Sequence, residues 1–216
     1  MKVIVFGGTG MVGQGVLREC LLAEDVSAVL TVGRTPTGRP HAKLRELIHQ
    51  DFTDLTPIAD ELAGYDACFF CLGVSSVGMS EEDYRRITYD FALAAARTLA
   101  ARDPDLTFVY VSGAGTGTGR SMWSRVKGET EDALLALPFR AYMFRPGFIR
   151  PLHGVTSKTR LYRALYRVGA PLGWLAERLF PHNVTTTEKI GRAMLNVART
   201  PTPTHVLAAR DINALA

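Results

Sequence analysis

The sequence predicts a doubly wound α/β fold on a parallel sheet, with a small C-terminal helical lobe. Three observations predict it. Short apolar, β-rich runs alternate with helical segments as far as about residue 145. A glycine cluster joins the first such run to the first helix. Past Pro146 the alternation weakens and leucines recur at helical spacing. Composition agrees. A chain of 216 residues, 47% hydrophobic and 21% charged, is an ordinary globular protein of one domain. At that length roughly 70% of the unfolded surface is buried, so no disulfide or metal staple is needed. Disordered, collagen-like and disulfide-scaffold classes are excluded, and the whole chain is read as a single domain, 1–216.

The first strand is expected at Lys2–Phe6 and the first helix at Met11–Ala23, where Val12, Val16 and Leu17 share a face. Val26–Val32 is the second strand. After a Pro/Gly-rich loop, Thr35–Pro40, the third falls at Leu47–Gln50 and a short helix at Leu55–Leu62. Ala67–Leu72 is the fourth. A long Ala-rich helix follows from about Ser80 to Arg102, opened by Ser80 with Asp83 three residues on, close to a capping box. Leu106–Val111, the helix Met122–Leu137 and the strand Arg140–Phe144 complete the alternation. A helical lobe spans 147–183, with Leu161, Leu165, Val168, Leu172, Leu175 and Leu179 in helical register. Thr185 to Arg199 is the last helix, capped by Thr185 or Thr186.

Cys68 and Cys71 spell C-x-x-C, but inside an apolar run that reads as a strand. Residues three apart on a strand face opposite sides, so a core reading outweighs a redox pair. Three cysteines, an odd number, and no signal-like opening fit a reducing cytoplasm. No apolar stretch has the length of a transmembrane segment.

The turn after the first strand carries Gly7, Gly10 and Gly13 at spacing G-x-x-G-x-x-G, with Thr9, Met11 and Val12 between them. Gly7 lets the chain turn, Gly10 lets backbone approach a pyrophosphate, and Gly13 lets helix and strand pack closely. The helix N-terminus then offers N–H donors and a positive dipole end to phosphate, as in the Rossmann dinucleotide fold. The second strand ends on Gly33-Arg34. Sites for NAD usually place an acid here for the ribose hydroxyls. A guanidinium instead suits a 2′-phosphate, so NADP is expected over NAD, against the plainer reading of Arg34 as a solvated loop residue. By the same geometry Asp51-Phe52 lies near the adenine, and Leu72-Gly73 flanks the ribose.

The glycine turn, Gly33-Arg34, Cys71-Leu72-Gly73, Tyr110-Val111-Ser112 and Arg145-Pro146-Gly147 together resemble the atypical, extended branch of the short-chain dehydrogenase/reductase superfamily. That branch includes epimerase-like, NmrA-like and Tat-interacting-protein-like members. The resemblance implies cofactor contacts at the glycine turn, Cys71, Leu72, Gly73, Lys127, Pro146 and Gly147. It also implies a Ser–Tyr–Lys arrangement, with Tyr four residues before Lys as general acid/base. Here Lys127 matches the lysine and Ser112 the strand-end serine, but Trp123 holds the tyrosine position. An indole N–H donates and does not titrate usefully. Ser121, Ser124, Tyr84, Tyr89 and His153 are candidate substitutes, none at the family position. Two functions follow: an NADP-dependent oxidoreductase or epimerase-like enzyme on a small carbonyl compound, or a non-catalytic nucleotide-binding sensor or partner-binding regulator.

The formal net charge is +4, yet between Arg140 and Arg192 ten Lys/Arg face two acids. The basicity therefore belongs to the C-terminal third. Arg160, Arg163 and Arg167 form a helical stripe beside Tyr162 and Tyr166. It is open to an anionic substrate, a lipid surface, a protein partner or plain solvation. No nucleic-acid recognition motif accompanies it.

Overall fold

The structure, a computed structural model, describes residues 1–155 and 183–216. The lobe's stripe of Arg160, Arg163 and Arg167, its tyrosines and its leucine repeat lie outside the described residues.

Six strands occur where apolar runs are expected: β1 (Lys2–Phe6), β2 (Ala28–Gly33), β3 (Leu44–Ile48), β4 (Ala67–Phe70), β5 (Thr107–Val111) and β6 (Arg140–Arg145). The third begins three residues earlier than its hydrophobic pattern suggests. As the edge strand it has only one neighbour, and most of its side chains are exposed or half-buried, so periodicity there is weak. Three further strands are too short to show a period: β7 (Phe148–Arg150), β8 (Val184–Thr186) and β9 (Val206–Ala208). The main sheet runs β3-β2-β1-β4-β5-β6-β9, parallel throughout. β7 and β8 form a separate parallel pair, Phe148 opposite Val184.

Central strands buried on both faces need apolar side chains on both, which is why β1 and β4 read as unbroken apolar runs. One face is covered by α1 (Met11–Leu22) and α5 (Thr187–Arg199), through Val16, Leu17, Ile190 and Met194. The other is covered by a long helical run and α4 (Met122–Leu135). That run is α2 (Glu81–Arg85), a π-helical turn at Arg86–Asp90 and α3 (Phe91–Ala100). It starts as the sequence implies: Ser80 Oγ accepts from the Asp83 amide at 3.1 Å. A short helix, α6 (Ala209–Ala214), ends the chain. Cys68 joins the core on one face while Cys71 packs on the other, so the C-x-x-C spacing is that of a strand and not of a redox pair.

α1 and α5 approach until their backbones nearly touch. A Cβ on Gly15 would stand 2.5 Å from Thr187 Cβ, and one on Gly191 would stand 3.2 Å from Val16 Cα. Thr186 caps α5 through its hydroxyl, which accepts from the Lys189 amide at 3.1 Å. Thr185 and Thr186, counted with the helix in the sequence, belong to β8. Among the described residues no helix is long and apolar enough to cross a membrane.

Candidate functional site

In an open parallel sheet, ligands bind outside the carboxyl ends of the strands, where the strand order reverses. Here the reversal lies between β1 and β4. The glycine turn stands there. Gly7 has φ +77°, and a Cβ on it would lie 2.7 Å from the Leu72 amide nitrogen, so the turn is wedged against Cys71-Leu72. Gly13 sits directly over the turn: its Cβ would fall 2.1 Å from the Gly7 carbonyl oxygen. The Gly10 amide donates to that same oxygen at 2.9 Å. Gly10 is the N-cap of α1, with no side chain to cap it and no acid in the first turn. The first amides of α1, on Met11, Val12 and Gly13, therefore face the cleft as an anion site. This is a cradle only glycines can line, and the residues present fit a dinucleotide pyrophosphate.

Outside the turn, Arg34 is exposed just past β2, its carbonyl accepting from Gln50 Nε2 at 3.1 Å. A second arginine, which the sequence reading passed over, reaches the glycine turn through α1. Arg39 Nη2 donates to Gln14 Oε1 at 3.4 Å, while Gln14 Nε2 donates to the Thr9 carbonyl at 3.1 Å. The Arg39 guanidinium is thus tied through Gln14 to the glycine turn, on the side where Arg34 leaves β2. The available signal was Arg39 itself, five residues after Arg34 in the Pro/Gly-rich loop. Past β3, Asp51 accepts from the Thr53 hydroxyl at 2.5 Å and from its amide at 2.9 Å; these bonds hold the carboxylate below the usual range. Phe52 turns its ring into the core against Phe6 and Phe91, leaving only backbone toward an adenine. Cys71 is tied to β1 by its amide, which donates to the Phe6 carbonyl at 3.0 Å, and Gly73 faces open space.

The residues expected to carry chemistry gather at the ends of β5 and β6. Ser112 follows β5, and its hydroxyl donates to the Phe144 carbonyl at 3.1 Å. It is buried and turned into the sheet. Lys127, on α4, donates through Nζ to the Ser112 carbonyl. Burial pulls its ammonium down to about 8, partly opposed by Glu131 one turn later. Trp123 is half-buried, its Cη2 3.4 Å from where a Cβ on Gly115 would be, so the indole lies over the glycine-rich loop after β5. Ser124 donates to the Gly115 carbonyl at 2.7 Å and accepts from the Gly119 amide at 3.1 Å. Tyr84 is buried, Tyr89 lies 4.4 Å beneath the Arg85 guanidinium, and His153 bonds Glu188 at 2.5 Å. Ser121 is exposed at the start of α4. Of the substitutes weighed for the tyrosine, all but Ser121 are thus engaged or buried elsewhere.

Pro146 closes the floor, its carbonyl accepting from the Ala114 amide at 2.9 Å. Gly147 lies against the returning chain; its Cβ would meet the Asn183 carbonyl oxygen at 2.2 Å. Beneath Lys127 is a pair that the sequence reading missed. The Arg145 guanidinium grips Glu131 through Nε, 3.1 Å from both carboxylate oxygens, and through Nη2. The two residues lie 14 apart on different elements, so no local pattern announces them. Among the described residues no cluster has the makings of a metal site. An open cavity of about 810 Å³, lined partly by Asp25, Asp66, Arg102 and Arg140, lies at the opposite, amino end of the sheet.

The NAD dependent epimerase/dehydratase family profile matches residues 3–133. The chain is 28% identical to "Protein FMP52-2, mitochondrial" of Scheffersomyces stipitis, over 98% of this chain and 96% of that one. It is 28% identical to "Protein HTATIP2" of Rattus norvegicus, over 68% and 62%. Among solved structures, an oxidoreductase of the short chain dehydrogenase/reductase family from Burkholderia thailandensis superposes with a TM-score of 0.73 at 17% identity, covering 99% of this chain and 92% of that one. One expectation is overturned. A cytoplasmic location does not follow from the cysteines, because relatives of this chain, the FMP52 proteins of several fungi, carry "mitochondrial" in their names. Unpaired cysteines of the buried kind, such as Cys20 and Cys68, report a reduced interior and say nothing of which compartment supplies it. With the glycine turn, the strand order and a family match over more than half its length, the chain belongs to the NAD-dependent epimerase/dehydratase family.

Proposed function

We propose that this protein binds NADP(H) at the glycine turn and reduces a small carbonyl compound, with Lys127 as the proton source in place of the absent tyrosine. The observation that carries the reading is the position of Lys127. Its ammonium is held at the carboxyl end of β5, two strands from the pyrophosphate cradle on the same edge of the sheet. Arg34 and Arg39 favour the phosphorylated dinucleotide, since two guanidinium groups suit a 2′-phosphate better than two ribose hydroxyls.

When bound, NADPH supplies the hydride to the carbonyl carbon. The C=O pair passes to oxygen, and Lys127 Nζ gives that oxygen a proton, leaving a neutral amine and an alcohol. An amine titrating near 8 carries its proton at neutral pH and releases it readily, as a general acid must. In this reading Ser112 stays outside the proton transfer, its hydroxyl donating to the Phe144 carbonyl instead. NADPH oxidation against a panel of small aldehydes and ketones tests this. Turnover in wild type that disappears in Lys127→Met supports the enzyme.

A second reading is a nucleotide-binding regulator without turnover. It is favoured by Trp123 over Gly115 and by the inward Ser112, which leave no hydroxyl at the family positions. NADPH binding with no turnover, in wild type and in Trp123→Tyr alike, supports that reading.

A further inference from the structure

Glu131 is a carboxylate with 1% of its side chain exposed, one helical turn after Lys127 on the same face of α4. A carboxylate so placed must be neutralised or bonded. Arg145, from the end of β6, does both, with its guanidinium across both oxygens. We propose that the Glu131–Arg145 pair is a positioning device for Lys127: it sets the electrostatic field at Nζ and thereby the charge that the amine carries. The inference deepens the proposed function and rests on it only for the meaning of that charge.

Glu131 favours the ammonium, though burial outweighs it. The Arg145 guanidinium, locked to that carboxylate, is the cation that would offset its help. The other titratable groups on this side are Tyr110, on β5, which feels the Glu131 charge, and Tyr84, on α2, which feels Tyr110. Burial pushes both phenols up, so they stay neutral, and their hydroxyls bond Thr130 and Thr88. Asp132 also acts on Arg145, from the outer side of α4. The pair is therefore the charged control that the surrounding elements place under Lys127.

The arrangement makes an asymmetric prediction. Glu131→Gln leaves the Arg145 cation alone below Lys127 and lowers the pH at which Nζ loses its proton. Arg145→Gln leaves the Glu131 anion alone and raises it. The double variant Glu131→Gln/Arg145→Gln removes both charges and returns the midpoint near wild type; it also avoids the isolated buried charge that can prevent either single variant from folding.

The protein has five lysines, few enough for the ¹³Cε resonance of each to be followed by NMR, with Lys127 assigned from its absence in Lys127→Met. The full chain is titrated from pH 6 to 11 without nucleotide. Opposite displacements of about one pH unit in the two single variants are expected, with the double variant close to wild type. Should only the double variant fold, its midpoint is compared with that of Arg145→Lys, which keeps the cation but loses the two-pronged grip and so raises the midpoint. A midpoint unmoved in every variant that folds, or moved in one common direction by both single variants, overturns the proposal. Because the titration needs neither nucleotide nor turnover, its failure is separate from failure of the NADPH reading.

Discussion

The hydroxyl of Ser112 donates to the carbonyl oxygen of Phe144 at 3.1 Å, from the end of β5 to the end of β6. The Ser112 amide donates to the same oxygen at 2.9 Å. The serine at the family's substrate-orienting position is thus a strand-to-strand tie. The amine of Lys127 stands beside that tie, donating to the Ser112 carbonyl.

Ser112→Ala should therefore change kcat/KM of any NADPH-dependent reduction by less than about 3-fold, against the 100-fold or more lost with a true proton-relay or orienting group. Its cost should appear in stability instead, about 1 kcal/mol for one buried hydrogen bond whose acceptor keeps a second donor. Urea denaturation alongside steady-state rates checks both halves.

Gly15→Ala should destabilise the fold by about 3 kcal/mol, because the new methyl would press on Thr187 and drive α1 from α5. Gly73→Ala, at a glycine with nothing within 4 Å, is the control and should fall within about 0.5 kcal/mol of wild type. Equal midpoints for the two variants in urea would contradict the close-approach argument.

Lys127 also gives stability a dependence on pH. Its folded-state value lies near 8, below that of an unfolded lysine, so between those two values the unfolded chain binds the extra proton. The Lys127 contribution to stability should accordingly rise as pH climbs from about 8 toward 10, against the opposite contribution of the buried thiols Cys20, Cys68 and Cys71, which keep their protons only in the folded chain; the loss of stability over that range should therefore be steeper in Lys127→Met than in wild type. Glu188 works at the other end of the scale. The bond from His153, helped by Arg192, holds its carboxylate below the usual range. Its contribution is complete above the unfolded glutamate value and fades as pH falls through the lowered one. His153→Ala should flatten that acid limb. Thermal melts at intervals of half a pH unit follow both.

Much of this was legible in the sequence, for physical reasons that also mark where legibility ended. β1, β4 and the glycine turn are visible because a strand buried on both faces must be apolar throughout, and because only glycine fits against Leu72 and the Gly7 carbonyl. β7, β8 and β9 are three residues each, too short for any period, and exist through their partners. The π-helical turn at Arg86–Asp90 sits inside a run whose spacing reads as plain α-helix. In the candidate site, backbone-defined positions were readable and side-chain directions were not. The inward turn of Ser112 depends on Phe144, 32 residues away, and the link from Arg39 to Gln14 spans 25. The grip of Arg145 on Glu131 is set by how β6 meets α4.

Calorimetric titration of NADPH and NADH into the wild-type chain reads the preference proposed for Arg34 and Arg39. NADPH should bind at least about 10-fold more tightly, worth 1.4 kcal/mol. Arg34→Ala and Arg39→Ala should each narrow that gap without weakening NADH. Equal affinities for the two dinucleotides in wild type, or tighter binding of NADH, would contradict it.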